Sequence, residues 1–192
     1  MTSRKEVFAI KNNAVKTVKI ILWGILLLLL IGVFCYFGVR LPSPEFEVDH
    51  YQEFLEIVSK NDRIVSPNED CLPAEPASLS VYVPNRFRFS SPEGYNIVIV
   101  MGNTSISIRC RTLSSEINSG TEMPEFVPNQ YIDSMPVNIA SWEDAVSIDF
   151  LTEDCRYSIV MSGSGLALSQ EPSLNSVLGV AQDLVEQCLN KE

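Results

Sequence analysis

The spacing of hydrophobic positions changes several times along the chain, and each change marks a different kind of element. The first is an unbroken apolar run over residues 20–39 that holds no charged side chain. Its length is that of a helix crossing the hydrocarbon core of a bilayer, and a chain in lipid has to satisfy its own backbone hydrogen bonds. We therefore predict a single transmembrane helix over residues 20–39.

Helical spacing returns twice after this run. Val48, Tyr51, Leu55 and Val58 recur at intervals of three and four, which predicts an amphipathic helix. It is predicted to start at Pro44, after Ser43 as its cap, and to end at about Lys60. Such a helix either docks on the core of its own domain or forms a stalk that pairs with a partner. A second helix is predicted over residues 172–189, where one face is continuously apolar: Leu174, Val177, Leu178, Ala181, Leu184, Val185 and Cys188.

Between these helices the pattern is that of short strands separated by turn residues. Strands are predicted over residues 79–83, 86–90, 95–101, 104–112, 145–151 and 155–161. The order of elements predicts an α+β fold, in which an antiparallel sheet has one helix before it and one after it. The predicted organisation is a basic stub (residues 1–19), the transmembrane helix, and an α+β domain over residues 40–192.

One long stretch, residues 113–141, has no clear period and is rich in serine, proline and asparagine. Long loops in compact domains are often functional, so a partner-binding surface is predicted here and just beyond it. Its candidate residues are Met123, Phe126, Tyr131 and Trp142. The alternative is that the apolar members of this stretch only tie the loop to the core.

Charge predicts an orientation for the membrane helix. The stub carries five basic residues and one acid, whereas eight basic residues stand against 23 acidic ones beyond Leu41. Basic flanks stay on the cytoplasmic side, so the predicted location is a bacterial inner membrane with the domain in the periplasm. The run exceeds a signal-peptide core and lacks a small-x-small cleavage site. The acidic domain disfavours nucleic acid and suits a protein partner, and its charge favours a basic one.

Cysteine usage fits a domain outside the cytoplasm, where disulfides persist. Cys71, Cys110, Cys155 and Cys188 are even in number and lack the close spacing of a zinc site. Three pairings are possible. A meander that includes all the predicted strands, followed by a returning helix, favours Cys71 with Cys110 and Cys155 with Cys188.

Catalytic and cofactor signatures are sparse. The sole histidine, His50, would have to serve any histidine-dependent mechanism alone, and the glycine pattern matches neither a P-loop nor a dinucleotide fingerprint. No cofactor or metal is predicted. The acidic pairs at residues 69–70, 143–144 and 153–154 fall in predicted turns without the ligand spacing of a calcium loop.

The function predicted from these observations is protein interaction, as an accessory or regulatory component of an envelope complex. Two further functions stay open as alternatives. One is an immunity-type protein that neutralises a basic periplasmic toxin, and the other is a ligand sensor with its site between sheet and helices. The alternative from a different class is a small membrane-tethered hydrolase that uses paired carboxylates.

Overall fold

The computed structural model describes residues 18–19, 21–33, 45–84, 91–118, 125–163 and 171–191. The chain divides into two compact units, residues 1–41 and 42–192. In the first unit, residues 18–19 and 21–33 are helical, and we name residues 21–33 α1. The predicted stub lies outside the described residues except for Val18 and Lys19.

The prediction of a transmembrane helix is contradicted. Within the described ranges, none of the helices combines the length and the apolar character that a bilayer crossing requires. Residue 20 and residues 34–39 of the predicted span lie outside the described part of the chain. The predicted location of the domain, in the periplasm at a bacterial inner membrane, stays a prediction.

The second unit is built on one antiparallel sheet of eight strands, in the order β1-β2-β3-β4-β8-β7-β6-β5. Two consecutive four-stranded meanders lie side by side, and β4 pairs with β8 at the seam between them. The strands are β1 (Glu45–Val48), β2 (Ser78–Tyr82), β3 (Gly94–Met101), β4 (Thr104–Thr112), β5 (Gln130–Ile132), β6 (Met135–Ser141), β7 (Ala145–Leu151) and β8 (Cys155–Gly163).

The helices differ from the predicted order. They are α2 (Tyr51–Val58), α3 (Leu113–Asn118) and α4 (Glu171–Leu189), with a 3₁₀ turn at Glu69–Cys71. The fold therefore does not begin with a helix followed by a sheet: β1 pairs with β2 and occupies the start of the predicted first helix. Residues 45–48 alternate charged and apolar side chains, and this period of two favours a strand.

The predicted loop over residues 113–141 also contains regular structure, namely α3, β5 and β6. In β6, Met135 and Val137 are buried and alternate with half-buried Pro136 and Asn138, so its period is that of a strand with one covered face. The strand predicted over residues 86–90 lies outside the described residues, and β2 pairs directly with β3.

One face of the sheet forms the core. Alternate residues of the central strands are fully buried there, and they pack with the apolar faces of α2 and α4 in a single cluster. The intervening residues of β3, β4, β7 and β8 form the opposite face, called the outer face below, and many of them are serine, asparagine or arginine. This alternation is typical of an antiparallel sheet covered on one side.

Three buried tyrosines anchor the segment that crosses the core between α2 and β2. The Val65 amide donates to the hydroxyl of Tyr157 at 2.9 Å, and the hydroxyl of Tyr95 donates to the Val65 carbonyl at 2.8 Å. The hydroxyl of Tyr51 donates to the Pro67 carbonyl at 2.6 Å. Both backbone groups of a buried residue are thus satisfied by side chains, as a buried irregular segment requires.

Candidate functional site: a surface at the sheet edge

The four predicted partner-binding residues have different surroundings. Met123 lies outside the described residues. Phe126 is half-buried. Tyr131 and Trp142 have 72% and 56% of their surface exposed, in a unit whose other large apolar side chains are mostly buried.

Tyr131 lies on β5, which pairs with β6 and forms the edge of the sheet within the described residues. Its register partner is Pro136. Residues 127–129 continue alongside β6, and hydrogen bonds from asparagine side chains hold them there. The Asn138 amide donates to the Val127 carbonyl at 2.7 Å, and the Asn129 amide donates to the Ile139 carbonyl at 2.8 Å. The edge of the sheet is therefore held in an extended conformation over residues 127–132.

Two exposed aromatic residues mark the ends of this edge. Trp142 follows β6, six residues after the partner of Tyr131, so the two aromatic residues lie about 20 Å apart along the strand direction. Val127, with 58% of its surface exposed, belongs to the extended segment between them. We call Val127, Tyr131 and Trp142 the sheet-edge surface.

The charges around the sheet-edge surface are negative. Asp133 follows β5 in the hairpin turn, Glu143 and Asp144 follow Trp142, and Glu125 precedes the extended segment; all four are exposed. The described basic residues of this unit lie on other strands and loops. Exposed aromatic rings beside carboxylates suit a partner that carries both apolar and basic side chains, since a cation is attracted to the face of an aromatic ring.

The cysteines do not form the predicted disulfide bonds. No two of the four described cysteine sulfurs lie at bonding distance. Instead, Cys110 and Cys155 lie diagonally across the β4–β8 seam, since Cys110 faces Tyr157 and Cys155 faces Thr112. Cys71 is exposed and lies beside Asp183 of α4.

The expected proximity of Cys71 to Cys110 depended on an extra strand over residues 86–90. With that strand in the meander, the end of β4 would lie near the start of β2. Because β2 pairs directly with β3, the end of β4 lies instead in line with Tyr82, at the far end of β2. Because β2 and β3 are direct neighbours, the end of β4 lies level with the end of β2 and not with its start, which follows Cys71.

The buried thiols lie in a low-dielectric cluster with Tyr95 and Tyr157. Burial raises the pKa of Cys110 well above that of an ordinary thiol. A hydrogen bond from Cys110 lowers the pKa of Cys155, and this is the largest influence on Cys155. Cys188 of α4 adds a neighbouring thiol to the same cluster. These contacts describe a packed core, where thiols behave as small hydrophobic groups.

A polar pocket of about 370 Å³ opens beside this cluster. Its walls carry charges of both signs, and three of these charged side chains have partners. Arg63 lies 3.6 Å from Asp154, and the Lys191 ammonium donates to the carbonyls of Asp62 and Ile64 at 3.0 Å each. The lysine thus fastens the end of α4 to the segment after α2.

The other candidate chemical groups lie apart from one another. His50 is the exposed residue preceding α2, where its carbonyl accepts a hydrogen bond from the Phe54 amide. The pairs Glu143-Asp144 and Glu153-Asp154 occupy hairpin turns, and Glu69-Asp70 lies in the 3₁₀ turn. Within the described part of the chain, no group of three or more potential metal ligands is assembled.

Comparisons with known proteins gave no match among family models, curated proteins or solved structures.

Sequence reasoning missed one polar feature of the outer face. Arg109 and Arg111 alternate with core residues on β4, and Arg111 is in register with Arg156 of β8. The available signal was the alternation of each arginine with strand residues that are mostly apolar: Ile108, Cys110 and Thr112 around the first two, and Cys155 and Tyr157 around the third. That pattern places all three on one face once the two strands are known to be neighbours.

Proposed function

We propose that residues 42–192 form a protein-interaction domain that binds an extended segment of a partner protein at the sheet-edge surface. The observation that carries the proposal is Tyr131, a tyrosine with 72% of its surface exposed on an edge strand. An edge strand presents backbone donors and acceptors to an added strand. Aromatic side chains are enriched where proteins bind one another.

The length of the edge defines the partner segment. The spacing of about 20 Å between Tyr131 and Trp142 corresponds to roughly six residues of extended chain. Pairing with the edge supplies main-chain hydrogen bonds, while side chains that meet Tyr131 and Trp142 supply specificity. The surrounding carboxylates favour basic residues in that segment, which agrees with the strongly acidic composition of the domain.

Site-specific photocrosslinking tests the proposal. A photoreactive phenylalanine analogue replaces Tyr131 or Trp142 in the full chain, expressed in cells of the organism that encodes it. Val100 is the matched control, since it is also an exposed apolar residue (54% of its surface) but lies on β3, far from β5 in the sheet order.

The expected result is one crosslinked protein, the same at positions 131 and 142, and no such product at position 100. Purification of that protein then permits a direct binding measurement in which Tyr131→Ala weakens affinity by about tenfold or more. Equal crosslinking at all three positions, or none at 131 and 142, would refute the proposed surface.

A further inference from the structure

We propose that the outer face carries a second binding site, formed by Arg109, Arg111 and Arg156, for an extended acidic segment of a partner protein. This site lies on β4 and β8 at the centre of the sheet, whereas the sheet-edge surface lies at β5 and β6. The two proposals therefore rest on different residues.

The three arginines are brought together by strand register. Arg111 and Arg156 are directly opposite across β4 and β8, and Arg109 stands two residues from Arg111 on the same face. Like charges directly opposite each other in a sheet are destabilising. Such a pair lowers the stability of the sheet itself, and residues that lower stability in this way are concentrated at functional sites.

The structure holds the central arginine in place. Its guanidinium carbon lies 3.3 Å from the centre of the Tyr82 ring. Gly94 lies between them in the register, and its missing side chain makes room: a Cβ built there would be 3.1 Å from Cδ of Arg111. A guanidinium stacked on a ring keeps its in-plane N–H donors available for an anion.

These arginines are not neutralised by neighbouring acids. Over the described ranges, the recorded ion pair is Arg63 with Asp154, and no acidic side chain lies within 4 Å of the three guanidinium groups. Arg109 is exposed, and Arg111 and Arg156 are half-exposed. Three positive charges that form no ion pair with the described acidic residues thus stand together on a chain whose formal net charge is −10.

The spacing of the arginines points to an extended peptide with carboxylates at alternate positions. Arg109 and Arg111 are about 7 Å apart along β4, which equals the repeat of side chains on one face of an extended chain. Arginine binds carboxylates in bidentate fashion. The overall negative charge disfavours a long polyanion such as nucleic acid, so a short acidic segment is the occupant that we favour.

The test measures binding of a fluorescently labelled peptide, Glu-Ser-Glu-Ser-Glu-Ser, to the full chain by anisotropy. We expect Arg109→Gln and Arg156→Gln each to weaken binding by about tenfold, as loss of a charged hydrogen bond does. Arg111→Lys keeps the charge but loses the stack and the fork, so it should weaken binding to a similar extent.

Lys60→Gln is the matched control, because it removes one exposed positive charge after α2 and should change affinity less than twofold. Circular dichroism establishes that each variant is folded. Tyr131→Ala should leave binding of this peptide unchanged, which separates failure of this site from failure of the sheet-edge surface.

Three outcomes would overturn the proposal. These are no measurable binding of the peptide, equal binding by wild type and the arginine variants, and stronger competition by a single-stranded oligonucleotide or by inorganic phosphate than by unlabelled peptide. The last result would assign the arginines to a phosphate-bearing ligand instead.

Discussion

The hydroxyl of Tyr157 is expected to stabilise the domain through one backbone group, the Val65 amide. Tyr157→Phe keeps the ring, which stacks on Phe150 with their centres 4.8 Å apart. It removes the acceptor that the Val65 amide uses at 2.9 Å. Val65 has only 4% of its surface exposed, so water does not readily replace the hydroxyl.

The expected loss of stability follows from that unsatisfied donor. A buried polar group left without its partner costs about 1–3 kcal/mol, and the retained ring keeps any packing contribution small. Tyr95→Phe should cost a similar amount, since it removes the 2.8 Å bond to the Val65 carbonyl. Because both bonds hold the same residue, the double variant should lose about 0.5 kcal/mol less than the sum of the two.

Urea denaturation followed by circular dichroism measures these free energies of unfolding. Amide hydrogen exchange at Val65 provides a local readout, and exchange should accelerate in Tyr157→Phe. Tyr131→Phe is the matched control, since its hydroxyl is on an exposed side chain and its removal should change stability by less than about 0.5 kcal/mol. Losses below 0.5 kcal/mol in both core variants, with unchanged exchange at Val65, would refute this account.

Three further results are expected. Burial raises the pKa values of Tyr51, Tyr95 and Tyr157 well above their usual range. The contribution of these tyrosines to the free energy of unfolding is therefore complete below about pH 10. Above that pH it falls, by up to about 4 kcal/mol per pH unit for the three groups together. Absorbance at 295 nm should show these tyrosines ionising together with unfolding, and gradual ionisation of a folded protein would contradict the burial argument. Gly102→Ala should destabilise by about 1–2 kcal/mol in thermal or urea unfolding, because φ is +60° there while a Cβ meets no atom within 4 Å; Gly179→Ala, equally unobstructed but within α4, should stabilise by about 0.5–1 kcal/mol. Gly94→Ala should reduce the yield of folded protein, since its Cβ would overlap the Cys110 carbonyl oxygen; wild-type stability in that variant would show that β3 and β4 separate easily.

Strands with strict alternation were predictable from the sequence. The limits of β4 and β7 agree with the predicted residues 104–112 and 145–151, because alternating apolar residues between turn-forming dipeptides leave little freedom of register. The last helix was predicted to within one residue for a similar reason, since its apolar face is continuous from Leu174 to Cys188, over about four turns.

Elements that depend on distant partners were not predictable in the same way. Residues 45–48 are too few to distinguish a strand from a helix start, and their pairing with β2 determines the outcome. The pairing of β4 with β8 joins residues far apart in sequence, and it decides both the position of Cys110 beside Cys155 and the clustering of the arginines. The candidate site residues Tyr131 and Trp142 were predicted from a long stretch without a clear period. Their exposure could be seen only in the structure, where Tyr131 lies on the edge strand β5 and Trp142 follows β6.

The β4–β8 seam has a consequence for the order of folding. Its paired residues are farther apart in sequence than those of the other strand pairs, while pairing within each meander is more local. The loop-closure entropy of the seam is therefore the largest in the sheet. Each meander can form its hairpins early, and their union at β4 and β8 becomes the slow step. Until that step is complete, both seam strands are open edges, so the protein is most exposed to intermolecular strand pairing before the two halves meet.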